Sequence, residues 1–151
     1  MADSRIVTIH KKIAELIGVN YAGGHSGVDF TDRVIRAVEV DPVMVPMASV
    51  KFVDSLEEFG KTLGNYYAKA IFEIYIYQNG SDPISRSDQS LNVCSDMIKA
   101  LTANRTLGLG GSVVEDVICD FMHLEGDAFG VDGVGIGFIR VTTTYQTPDG
   151  S

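Results

Sequence analysis

Apolar residues recur at helical spacing in two stretches of this chain and alternate in several others, and that pattern fixes the expected elements. Between residues 4 and 17, Ile6, Ile9, Ile13 and Leu16 share one face, while His10, Lys11, Lys12 and Glu15 lie elsewhere. Asp3 or Ser4 can cap this helix and Gly18 can end it. Over residues 87–101, Leu91, Cys94, Ile98 and Leu101 recur in the same way with Met97 beside them. Ser87 is the expected cap there, Asp88 lies in the first turn and Lys99 near the end, which suits the helix dipole. Both helices are amphipathic, so each needs a partner surface.

The clearest strand covers residues 66–77. Ala68, Ala70, Phe72, Ile74 and Ile76 make one wholly apolar face; Tyr67, Lys69, Ile71, Glu73, Tyr75 and Tyr77 make the other. The first face calls for a helix layer. The second mixes tyrosines with charges, the composition of a wet surface or of a subunit interface. Residues 30–40 alternate with Val34, Val38 and Val40 on one side, and residues 48–53 read as a strand beginning after Pro46. Residues 113–124 set Val117, Cys119 and Phe121 against Asp116 and Asp120. Residues 134–147 set Ile139, Val141 and Tyr145 against Phe138, Arg140, Thr142 and Thr144.

Loops fill the rest. Gly23, Gly24 and Gly27 surround His25 in residues 19–29, and residues 54–65 carry Glu57, Glu58, Gly60 and Gly64 as a connector with room for one helical turn. Residues 78–86 and 125–133 are loops, and Gly108, Gly110 and Gly111 form a turn after the second helix. The expected architecture is one α+β domain over residues 1–151. It has a mainly antiparallel sheet of four to five strands with two helices packed on one face.

Composition narrows the function classes. An apolar fraction of 45% with 21% charged residues is that of a soluble globular protein, and no apolar run approaches the roughly 20 residues that span a bilayer. The chain begins polar, so no export leader is expected. Two cysteines, Cys94 and Cys119, both fall on apolar faces and are expected as reduced, core-facing thiols. The net charge of −8, with 12 basic against 20 acidic residues and no basic run, argues against direct recognition of nucleic acid. An acidic surface instead suits a wall past which nucleic acid slides without sticking.

The search for chemistry is short. Gly108-Leu-Gly110-Gly111 precedes a strand, whereas phosphate-cradling loops follow a strand and open a helix. His10, His25 and His123 stand far apart, without ligand spacing. Asp116 and Asp120 align on one strand face and could hold a hard cation, but they read better as a solvated face. Neither cysteine has a base beside it in sequence, and Ser112 has no nucleophile-elbow motif. The sequence therefore assigns no catalytic residue, no cofactor and no metal, and no enzymatic role is expected.

The stretch Asn104-Arg-Thr-Leu-Gly-Leu-Gly-Gly111 carries a resemblance. It sits between the second helix and two closing strands, in a chain that starts with a short amphipathic helix. The chain thereby resembles the tail terminator, or tail completion, proteins of tailed bacteriophages, and the order of elements matches over most of residues 4–146. The glycine-rich stretch around His25 departs from that pattern. The resemblance implies a virion protein of the tail and neck, assembled in the bacterial host cytoplasm. It implies a ring, commonly a hexamer, at the head-proximal end of the tail tube, where it stops tube growth and joins the head. The implied partners are further copies of the chain, the tube protein, the head–tail connector and the sheath protein where one exists, with no membrane and no specific nucleic acid. Tyr67, Tyr75 and Tyr77 are candidates for subunit contacts; Asp82, Arg86, Asp127 and Asp132 are candidates for tube or connector contacts. The alternatives are another head–tail part, either a tube subunit or a head-closure protein, and a small ligand-binding domain or enzyme using the glycine turn.

Overall fold

The computed structural model describes residues 3–37, 45–62, 65–79, 82–111, 113–126 and 134–147. Helix α1 (Arg5–Ile17) leads to a short strand β1 (Val34–Ile35), then β2 (Met47–Thr62), β3 (Asn65–Asn79), helix α2 (Pro83–Thr102), β4 (Val114–Gly126) and β5 (Val134–Thr147). The strands form one sheet in the order β1-β2-β3-β5-β4. Only β1 pairs in parallel, with β2; the other pairings are antiparallel. The fold is α+β, as the periodicity predicts.

β3 lies at the centre. Phe72 stands opposite Phe52 and Val141, and Ile74 opposite Val50 and Ile139, so the apolar sides of three strands coincide. On these rows Ala70, Phe72, Ile74, Ile76, Val50, Ile139 and Val141 are fully buried. Both helices cover this face: Ile9, Ile13 and Ile17 of α1 share one core with Val93, Cys94, Met97 and Leu101 of α2. Each such large aliphatic side chain contributes roughly 1.5–3 kcal/mol by leaving water. That gain fixes which side of the sheet the helices occupy.

α1 starts and stops where predicted, with the Ser4 hydroxyl accepting from Val7 N–H and Gly18 as C-cap. Three expectations need correction. α2 begins not at Ser87 but at Pro83, capped by Asp82, so residues 83–86 are helix and not loop. Its first turns are exposed, Ile84 at 74%, and carry no apolar period to reveal them. Its buried stripe is Ser90, Val93, Cys94, Met97 and Leu101, with Leu91 left 41% exposed. The connector expected over residues 54–65 is mostly strand, because β2 runs on to Thr62 and forms a hairpin with β3. A register shift between Phe52 and Asp54 breaks the alternation there, which hides the strand from a period-two search. The strand expected over residues 30–40 shrinks to Val34–Ile35; residues 38–40 lie outside the described residues.

Two irregular segments hold the helices to the rest. The glycine-rich loop closes on α2 through Asp96, which is 5% exposed. Its carboxylate accepts from His25 N–H and Ser26 N–H, both at 2.9 Å, and from the Ser26 hydroxyl at 2.7 Å. Burial pushes the carboxyl pKa up, and these donors together outweigh it, so the group ends below its ordinary 3.8. Gly24 permits this close approach, because a Cβ there would lie 2.7 Å from an Asp96 oxygen and displace the carboxylate. After α2, Leu107 adopts a left-handed backbone, φ 54°, while its side chain is 1% exposed in the core. The glycine turn thus plugs the helix layer and returns the chain to β4.

Replacing Asp96 with Ala is expected to lower stability by about 2–3 kcal/mol, the scale for losing charge-assisted hydrogen bonds made by a buried carboxylate. Chemical unfolding measures the loss, and limited proteolysis is expected to cut within residues 20–29 before global unfolding. Because the folded carboxyl pKa is depressed, this contribution is complete above about 3.8 and disappears as pH falls through the folded value.

Candidate assembly surface

The sheet face away from the helices is built by the alternate residues of the same strands. Tyr75 pairs in register with Phe138, Glu73 with Arg140, and Ile71 with Thr142. On the other side of β5, Asp120 stands opposite Arg140 and Ile118 opposite Thr142. The Tyr75 and Phe138 rings lie 5.0 Å apart, and the Tyr75 hydroxyl donates to Glu73 Oε1 at 3.0 Å. Burial, then the Glu73 contact, pushes the Tyr75 hydroxyl up to about 12. Arg140 Nη2 is 3.6 Å from Glu73 Oε2. A half-exposed pair of this kind contributes about 0.2–1 kcal/mol, so its main effect is to hold register.

The two sides of the sheet end differently. β4 has β5 as its sole strand neighbour among the described residues. β2 carries β1 only at Ala48 and Ser49, after which Arg36 and Ala37 bend away and the Ala37 carbonyl accepts from the Ser49 hydroxyl. The next outward carbonyl, Val50, is met by His10 Nε2 at 2.8 Å, with the His10 ring 5.3 Å from Phe72. A helix side chain thus finishes the edge where β1 stops. From Lys51 onward no described strand lies on that side. An open strand edge is a template for further pairing.

Of the described residues predicted from sequence, only tyrosines of β3 fall on this face. Tyr75 lies on the open face and is partly exposed. Tyr77 shares the face but is only 3% exposed, so its ring has almost no surface left to offer a neighbour. Tyr67 sits at a β3 position opposite Gln146 and Glu58; its side chain lies outside the described residues. Asp82 is spent on capping, accepting from Ser85 N–H at 2.8 Å and from its hydroxyl at 3.1 Å. Arg86 is half-buried in the first turn of α2, and Asp127 and Asp132 lie outside the described residues. Lys51, Arg140 and Asp120 also lie on this face; alternation alone sets Arg140 and Asp120 against the apolar rows of β5 and β4 and leaves Lys51 unassigned, and only register brings the three into line.

The chemistry elsewhere is quiet. Burial pushes the Cys94 thiol up to about 12, and burial with Asp120 nearby pushes Cys119 up to about 11, so both are neutral thiols at pH 7. Among the described residues no group of three His, Cys, Asp or Glu side chains could hold a metal ion. No described helix is long and apolar enough to cross a membrane. No family model and no curated protein matches the chain.

His10 gives the β2 edge a pH dependence. Burial lowers its pKa below the ordinary 6.5; the Val50 carbonyl opposes this and Arg36 adds to it. The neutral ring is the folded form, so its contribution is complete above about 6.5 and lost as pH falls through the lower folded value. Thermal melts are expected to show stability falling below pH 6.5, with a shallower fall in His10→Gln.

Proposed function

We propose that this protein is a structural, non-enzymatic assembly subunit: a tail terminator that forms a ring on the head-proximal end of a phage tail tube. The observation that carries this reading is the one-sided sheet. Both helices and the whole aliphatic core lie on one face, and the other face presents aromatic and charged side chains over three long strands. At about 3.4 Å per residue, the 15 residues of β3 extend roughly 50 Å. The 20 residues of α2 extend roughly 30 Å at 1.5 Å each. A sheet that outruns its helix layer, and whose β4 edge and far β2 edge carry no further strand among the described residues, suits a subunit completed by its neighbours. The α+β order, a first amphipathic helix, a second helix and two closing strands, is also the one implied by the resemblance around Asn104 and Gly111. The acidic balance, −8 overall, suits a ring through which DNA must pass without lodging.

Negative-stain images of the purified protein over a range of concentrations, alone and with the tube protein of the same phage, test the proposal. Rings of one size with a central hole, and arrest of tube elongation on addition, are expected. Open-ended tubes made by this chain alone would transfer the role to a tube subunit.

A further inference from the structure

One row of the open face is an incomplete series. Lys51 on β2 stands opposite Glu73 on β3, Glu73 opposite Arg140 on β5, and Arg140 opposite Asp120 on β4. The signs alternate from one side of the sheet to the other, the arrangement that stabilises cross-strand neighbours. The row opens with a cation at the β2 edge and stops with an anion at the β4 edge. A second copy placed edge to edge in the same orientation continues it.

Resting on the ring reading above, we infer that copies of this chain join head to tail by strand addition. Residues 116–120 of β4 in one copy pair with residues 51–56 on the β2 edge of the next, and Asp120 meets Lys51. Four observations converge on this contact. First, β4 runs antiparallel to β5, β5 to β3 and β3 to β2, so β4 is antiparallel to the β2 of a like-oriented neighbour. Antiparallel pairing is the more stable geometry. Second, among the described residues neither edge carries a further strand here: β1 ends at Ile35 and His10 occupies the Val50 carbonyl, which leaves β2 without a strand neighbour on that side from Lys51 onward. Third, large apolar side chains are exposed at the two edges, Phe52 at 39% and Val53 at 40% on β2, and Ile118 at 54% on β4. Fourth, the irregularity at Val53 sets the register. With Asp120 opposite Lys51, Ile118 comes opposite Asp54 and Asp116 opposite Leu56, and the contact ends there, short of the register that would set Glu115 against Glu57. The same row disfavours pairing of like edges, because β4 against β4 would bring the Glu115, Asp116 and Asp120 carboxylates of two copies together.

Mixing two variants tests this directly. One carries Lys51→Cys and the other Asp120→Cys, and both carry Cys119→Ser to remove the thiol beside position 120. Mild oxidation of concentrated protein is expected to give a covalent dimer in the mixture and little with either variant alone. No mixed dimer at any concentration, or equal cross-linking of one variant with itself, would overturn the inference. In a second measurement, Lys51→Glu and Asp120→Lys are each expected to weaken self-association about tenfold or more. Mixing the two is expected to restore it, since each then offers the charge that the other lacks; unaltered association of the single variants would overturn the contact. The ring function fails separately: a mixed dimer from a protein that never arrests a tube removes the terminator reading and keeps the edge contact. Arrest of tubes without the mixed dimer does the reverse.

Discussion

A strand shows its side chains alternately to two sides, and in β3 those two sides demand different surroundings. Ala68, Ala70, Phe72, Ile74 and Ile76 have to leave water together, whereas Lys69, Glu73 and Tyr75 cannot follow them without losing hydration. Since β3 is hydrogen-bonded along its length to both β2 and β5, its choice of face is imposed on each neighbour through register. A slip of one residue would turn every aliphatic side chain of a neighbouring strand into solvent. The position of both helices, the single core and the open charged face all follow from that one alternation.

The helices then need fixing in place, and three local devices do so with different physics. Asp96 holds the glycine-rich loop on α2 by charge-assisted hydrogen bonds. Leu107 plugs the core from a left-handed turn, where burial of the side chain offsets the backbone cost. His10 joins α1 to the β2 edge through a carbonyl that the short β1 does not reach. Gly137 adds close approach, since a Cβ there would lie 2.8 Å from Cys94 Sγ where α2 crosses β5. The helix layer is thus tied to the sheet at several points, whereas the opposite face is exposed only in part, with Met47, Ser49 and Tyr77 buried on it.

The parts legible in the sequence were those whose signal is local and periodic. The α1 helix with its Ser4 and Gly18 ends, the two faces of β3 and the alternation of β5 follow from side-chain spacing, although α1 buries Ile9, Ile13 and Ile17 while the expected Ile6 and Leu16 are only partly buried. The missed parts have nonlocal causes. The far half of β2 is rich in acids and glycine and acquires strand structure by pairing with β3; no residue within it announces the partner. The first turns of α2 are exposed, so no apolar spacing marks them, although Asp82-Pro83 is a cap and first-turn signature in hindsight. The candidate contact residues rest on residue type, which does not show that Tyr77 is only 3% exposed, and the alternating row depends on register among four strands and is invisible in any one of them.

That row also bears on what kind of assembly the chain can make. A surface with a cation at one edge and an anion at the other has an electrical direction, and two such surfaces attract head to tail while repelling edge to like edge. Isologous dimers need the same patch on both partners, so the row selects against them and toward heterologous growth. Heterologous growth closes into a ring only when the rotation between neighbours divides a full turn, and otherwise continues as a helix. The right-handed twist of the sheet contributes to that rotation, because each added strand turns relative to the last. Closure therefore depends on the geometry of the β4–β2 junction as much as on its affinity. The Val53 irregularity of β2 lies at that junction, where it fixes register and bends the edge. A subunit that must stop a polymer needs a junction that closes; one that must build a tube needs the same attraction and a further surface for stacking.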